Sequence, residues 1–295
     1  MRPMTNIAIS TERLTKVYGE QRAVDGLHLS VPAGAVYGYL GRNGAGKTTT
    51  IKMLLGLARP TLGTASVLGL NPQQGITALL EQVAFASSVK QLYQRLTGVE
   101  LIRFTAHFYA RYAAGKAEEY ARRLEVPLDT RFGKLSQGNR SKLCLILALA
   151  QDSKLLVLDE PTTGLDPFMV DEVLRILIQD HANEGRTVFF SSHQLAEVEQ
   201  VCDWIGIIER GKLVLEARLE DIRENFRRIT ASGNALPRQS SSTVFFCEEN
   251  ERCCKYMVTK SAEAFVADLR QQGAEVLECS PMSLREVFLQ LIGRE

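Results

Sequence analysis

Residues 5 to 40 alternate apolar and polar side chains in the manner of strands. Ile7, Ile9, Leu14 and Val17 lead to Gly19, Ala23 to Val31 follows, and Val36 to Leu40 runs straight into glycine. After Thr48 the spacing becomes helical, with Thr50, Ile51, Met53, Leu54, Leu55 and Leu57 before Pro60, and a strand-like stretch over Thr64 to Leu68 comes next. Residues 97 to 150 read as helices joined by polar connections, through Leu101, Phe104, Phe108 and Tyr109, then Ala117 to Leu124, then Leu143 to Ala150. Leu155 to Leu158 and Thr187 to Ser191 are short unbroken apolar or β-branched runs, as expected of parallel strands covered on both faces. Beyond Leu219 the composition shifts. Loop residues over Asn234 to Ser242 precede strand-like Thr243 to Cys247 and Tyr256 to Thr259, a helix from Ala262 to Gln272, a strand over Val276 to Cys279 and a last helix from Ser283 to Ile292.

With 295 residues, 45% of them hydrophobic, the chain can bury a core without disulfide staples. Lys plus Arg number 35 and Asp plus Glu 34, so the net charge of +1 offers no footprint for nucleic-acid phosphates, and nucleic acid is not an expected partner. Cys144, Cys202, Cys247, Cys253, Cys254 and Cys279 show no C-x-x-C metal spacing, which fits a reduced, cytosolic compartment. The longest apolar run, Leu143 to Ala150, is far short of the about 20 residues needed to cross a bilayer. Action at a membrane would therefore need another chain to span it.

The stretch from Gly41 to Thr49 reads GRNGAGKTT and satisfies G-x-x-x-x-G-K-[ST] between a strand and a helix. Its backbone N–H groups, from Gly41, Arg42, Asn43, Gly44, Ala45 and Gly46 into Thr49, can ring a phosphate at a helix N-terminus. Lys47 then reaches the β- and γ-phosphates of ATP, and the Thr48 hydroxyl ligates Mg²⁺. Leu155 to Glu160 supplies an apolar strand ending in two carboxylates. Asp159 is placed to hold the Mg²⁺ shell, and Glu160 to orient and deprotonate the attacking water. The predicted fold is α/β: a P-loop NTPase core with a parallel sheet, an antiparallel N-terminal β-subdomain, an inserted helical subdomain and a small C-terminal α+β appendage. The expected boundaries are 5–218 for the main domain, about 88–152 for the helical insertion and 219–295 for the appendage.

Four further motifs stand in order along the chain: KVYG at Lys16 to Gly19, LSQGNRSKL at Leu135 to Leu143, PTTGLDP at Pro161 to Pro167 and SSH at Ser191 to His193. With the P-loop and the carboxylate strand they resemble the nucleotide-binding domain of ABC transporters, over most of residues 5 to 216. The resemblance implies that Ser136 and Gly138 start a helix whose N–H groups face the γ-phosphate held by a partner subunit's P-loop. It further implies that His193 contacts the γ-phosphate and positions the water with Glu160, that Asp166 lies in a loop communicating across a dimer, and that Tyr18 stacks on adenine. Gln137 and Asn139 depart from the commonest signature, whereas the glycine allowing close backbone approach is kept as Gly138.

Ser88 falls where the family carries a glutamine that touches Mg²⁺ and links to the membrane partner. Its shorter side chain would reach the metal only through water or a loop shift, with Gln91 as a substitute. The stretches Tyr37 to Leu57, Pro60 to Pro72, Leu92 to Phe104 and Ser283 to Gly293 resemble the bacterial drug- and antibiotic-efflux branch. That likeness implies a homodimer or heterodimer of ATP-binding subunits, peripheral on the cytoplasmic face of the membrane, driving a separate permease that exports a drug, antibiotic or lipid-like substrate. The alternative is a soluble or regulatory ABC ATPase that works without a permease. Intact Glu160 argues against pure regulation.

Overall fold

The computed structural model describes residues 6–87, 93–109, 111–182, 184–233, 236–237, 241, 243–250 and 253–292. The chain divides into two compact units, Met1–Glu216 and Ala217–Glu295.

The alternating N-terminal segment forms β1 (Ile7–Tyr18), β2 (Gln21–Leu27) and β3 (Ser30–Pro32). Next come β4 (Val36–Leu40), α1 (Lys47–Leu54), β5 (Leu62–Val67), α2 (Ile76–Leu80) and β6 (Val83–Ser87). β1 pairs antiparallel with β2, β3 and β5, and the register closes its hairpin with Tyr18 opposite Gln21.

The helical insertion contains α3 (Gly98–Ala106), α4 (Ala114–Arg123), a 3₁₀ turn at Phe132–Lys134 and α5 (Gln137–Leu149). Thr97 and Glu100 form a reciprocal capping box that starts α3. Phe108, which the apolar spacing assigns to a helix, lies beyond the end of α3 and is exposed. There Phe104 and Phe108 meet edge to face, 5.0 Å between ring centroids, so the spacing reflects a surface aromatic pair and not a core face.

The chain re-enters the core through β7 (Leu155–Asp159), α6 (Pro167–Ile176), a π-helical turn at Leu177–Ala182, β8 (Thr187–Ser192), α7 (Leu195–Val201), β9 (Trp204–Glu209) and β10 (Lys212–Arg218). The six-stranded sheet runs β10-β9-β4-β8-β7-β6, and β9, β4, β8, β7 and β6 are parallel. Every residue of β4, β7 and β8 is buried, which is why β4 and β7 read as apolar runs, and β8 as Val188 to Phe190 between hydroxyl residues, where a half-exposed strand would alternate. Tyr37 and Tyr39 pack on Phe189 at centroid distances of 5.5 and 5.4 Å. The buried Tyr37 hydroxyl donates to Glu216 at 2.7 Å. Burial pushes the Glu216 carboxyl up, against the lowering effect of hydrogen bonds from Ser30 N–H and Tyr37. In a parallel sheet the C-terminal strand ends share one edge, so β4, β7 and β8 deliver the P-loop, the carboxylates and His193 to the same side.

The second unit comprises α8 (Leu219–Asn225), β11 (Arg227–Ser232), β12 (Val244–Asn250), β13 (Cys253–Val258), α9 (Ala262–Gln271), β14 (Glu275–Pro281) and α10 (Leu284–Ile292). Its antiparallel sheet runs β12-β13-β11-β14 around a core of Ile229, Ala231, Cys254, Tyr256, Val258 and Leu269. Strand β11 escapes detection from sequence because Arg227, Arg228 and Thr230 surround its two core residues, Ile229 and Ala231. Arg228 spans to Glu278 at 2.8 Å and Glu286 at 2.7 Å.

Candidate active site

The loop from Gly41 to Gly46 joins β4 to α1, and no side chain caps the helix, so its first N–H groups are available to an anion. Gly46 has φ 112°, a backbone that side-chain-bearing residues rarely adopt, and a Cβ there would strike the carbonyl oxygen of Ala23. Lys47 is buried, its Nζ donating to Gly41 O at 2.7 Å and Arg42 O at 3.3 Å and lying 3.2 Å from Glu160 Oε1.

A cleft of about 390 Å³ opens here. One wall is Asn43, Gly44, Gly46, Lys47, Thr48 and Thr49, a second is Tyr18 with Gln21 and Ala23, and Asp159 and Glu160 close the third. Within the loop, Gly41, Arg42 and Ala45 do not line the cleft: the first two accept from Lys47, and Ala45 N–H donates to Arg42 O at 3.1 Å. Tyr18 is 49% exposed, with Lys16 Nζ 4.9 Å from its ring centroid, which leaves ring surface for a planar ligand. Gln21 and Ala23 carry no motif. They reach the cleft because the hairpin register sets Gln21 opposite Tyr18.

Asp159 is 5% exposed and accepts from Ser191 Oγ at 2.7 Å. Glu160 has φ 52°, a left-handed turn that lets two consecutive carboxylates face one cleft where strand alternation would part them. Its Oε2 accepts from Thr163 Oγ1 at 3.2 Å and lies 3.5 Å from His193 Nδ1. Burial works to raise the Glu160 carboxyl, but the hydrogen bond and charge of Lys47, with His193 and Thr163 behind them, hold it below its ordinary value of 4.5. A depressed folded value means the stabilisation is present above the ordinary value and is lost as pH falls through the folded one. The Glu160→Gln chain should therefore lose less melting temperature than the wild type as pH is lowered from neutrality to below the ordinary value of 4.5, as read by differential scanning fluorimetry.

Ser136, Gly138 and Asp166 do not line this cleft. Ser136 is exposed and caps α5, accepting from Asn139 N–H at 3.2 Å. Among the described residues a Cβ on Gly138 would meet only Gly164 O at 3.6 Å, an ordinary contact, so packing against them does not require a glycine there. Asp166 caps α6 by accepting from Met169 N–H at 3.1 Å. Ser88 and Gln91 lie outside the described residues.

The sequence profile of the ABC transporter family matches residues 24–163, from within β2 through the P-loop, Gly138, Glu160 and Thr163. The bacitracin transport ATP-binding protein BcrA of Enterococcus faecalis is 38% identical over 224 residues, covering 75% of this chain and 73% of the relative. The chain belongs to the ABC transporter family. As an ABC ATP-binding subunit it binds and hydrolyses ATP. The Nod factor export ATP-binding protein I of Burkholderia orbicola is 35% identical over 99% of both chains, so the second unit of this ABC subunit also has a counterpart there. A solved structure of an ATP binding subunit of an ABC transporter superposes with a TM-score of 0.66 at 28% identity, covering 73% of this chain and 92% of the other.

Proposed function

We propose that two cassettes close on ATP, each P-loop facing the Ser136 and Gly138 of a partner cassette, and that closure and reopening drive a separate permease. The observation that carries this reading is the position of the signature. Ser136 and Gly138 lie outside the cleft of their own chain, and packing against the described residues gives Gly138 no reason to be glycine. A close approach by a nucleotide held elsewhere supplies that reason.

Within one site, Tyr18 stacks on adenine, the P-loop N–H groups and Lys47 hold the phosphates, and Glu160, with His193 beside it, orients the attacking water and takes its proton. Thr48 and Asp159 offer hard oxygen donors on two walls of the same cleft, which fits Mg²⁺. Among the described residues no cluster of three His, Cys, Asp or Glu could hold a metal, and Mg²⁺ bound with substrate phosphates needs only one or two protein ligands. When bound, Mg²⁺ neutralises charge on the β- and γ-phosphate oxygens.

Among the described residues no helix is long and apolar enough to cross a membrane. In the proposed assembly the permease is a separate chain and this subunit docks on its cytoplasmic face. The names of the relatives, bacitracin transport and Nod factor export, support export of a drug, antibiotic or lipid-like compound.

Mixing two damaged chains tests the shared site. Lys47→Ala breaks the P-loop and Gly138→Asp the signature, so each alone should be inactive. In an equal mixture the mixed pairs hold one intact site each, and activity should return to about a quarter of wild type, as symmetry of a homodimer requires. No recovery in the mixture would rule out a site shared between two copies of this chain.

A further inference from the structure

Ser191 lies on β8, the strand between the P-loop strand β4 and the carboxylate strand β7, in register with Tyr39 on one side and Asp159 on the other. Its side chain is fully buried, at 0% exposure, and it lines no part of the nucleotide cleft. Its Oγ donates to Asp159 Oδ1 at 2.7 Å and accepts from the Glu160 N–H at 3.1 Å. A hydroxyl has one proton and two lone pairs, so committing the proton to a carboxylate fixes where the lone pairs point. One atom therefore sets both the orientation of the Asp159 carboxylate and the path of the backbone into Glu160.

We propose that Ser191 is a positioning residue for hydrolysis, aiming the Asp159 carboxylate and holding the left-handed turn that brings Glu160 into the same cleft. Side chains alternate along a strand, and only the φ of 52° at Glu160 turns its carboxylate to the face that Asp159 uses. That conformation is uncommon for a residue bearing a Cβ and persists only where the surroundings fix it. The bond from Glu160 N–H to Ser191 supplies one such constraint at the turning residue.

The neighbouring serine has a different task. Ser192 Oγ donates to the buried carboxylate of Glu197 at 2.7 Å and accepts from Gln194 N–H at 2.9 Å. Ser192 and Glu197 thus hold the turn that carries His193, and Ser191 holds the carboxylates.

The proposal rests on the roles assigned to Asp159 and Glu160. It is tested in the full chain with Ser191→Ala, which removes the hydroxyl, and Ser191→Cys, which keeps the shape but donates weakly. Both variants should lose about tenfold to a hundredfold in kcat, the usual cost of removing a group that orients a metal ligand, and KM for Mg-ATP should rise by no more than the affinity that Mg²⁺ ceases to supply. A second measurement is equilibrium binding of a fluorescent ATP analogue. Without Mg²⁺ the variants should bind as the wild type does, and the tightening produced by Mg²⁺ should shrink by roughly tenfold. Wild-type kcat together with wild-type Mg²⁺ tightening in either variant overturns the proposal. So does a loss confined to Ser191→Ala, because a site that needs only the shape is filled by cysteine. Normal turnover in Glu160→Gln would instead strike the carboxylate assignment itself, whatever the Ser191 variants do.

Discussion

Replacing Lys47 by alanine is expected to cut ATP turnover by about 10²–10³, the usual cost of removing one fixed electrostatic partner from developing charge, and to weaken ATP binding in the same chain. The ammonium is 5% exposed and is held on the carbonyls of Gly41 and Arg42, 3.2 Å from Glu160. Among the described residues no other cation lines the cleft, and neither Thr48 nor Thr49 can substitute for its charge. The loss has a second arm. Burial already works to raise the Glu160 carboxyl, and Lys47 heads the influences that oppose it, so the Lys47→Ala chain should hold Glu160 less acidic than the wild type does. Lys47→Arg is expected to fail as well, because a planar guanidinium does not fit a site shaped around a compact ammonium. Steady-state ATPase assays and ATP titrations on the purified chain decide the matter, and turnover within tenfold of wild type would contradict this reading.

What could be read without coordinates depends on how each feature is written along the chain. The P-loop and the Asp159–Glu160 pair are contiguous, and each sits at the end of a strand whose complete burial makes it an unbroken apolar run. Gln21 and Ala23 belong to the site through strand pairing, which leaves no local mark, and pairing also gives Ser191 a role that its place at the start of the SSH motif does not reveal. Gln21 arrives opposite Tyr18 across a hairpin, and Ser191 opposite Asp159 across a parallel ladder. The φ of 52° at Glu160 is likewise invisible, since a glutamate after an aspartate reads as strand alternation continuing. In the second unit β11 was hidden by Arg227 and Arg228, the latter's charge being met by Glu278 and Glu286 from β14 and α10. Phe108 misled for the opposite reason: its helical spacing from Phe104 expresses a pair of surface rings and not a buried face.

Glu160→Gln separates binding from hydrolysis more cleanly than any other change in this site. Removing a positioned general base costs about 10²–10⁴ in rate, and the expected result is turnover reduced by that factor with ATP affinity retained. Glutamine keeps the length of the side chain and one oxygen that can accept from Thr163, so the turn and the cleft wall survive. The negative charge beside Lys47 is lost. In the wild type that charge competes with a phosphate for the ammonium at 3.2 Å, so its removal favours bound ATP even as it removes the base. ATP that cannot be hydrolysed keeps the P-loop and signature faces engaged, and the Glu160→Gln chain should elute as a dimer with ATP and as the smaller species without it. Retained dimer with normal turnover would move the base to another residue. Lost turnover with lost ATP binding would mean that Glu160 shapes the cleft and does not act on the water.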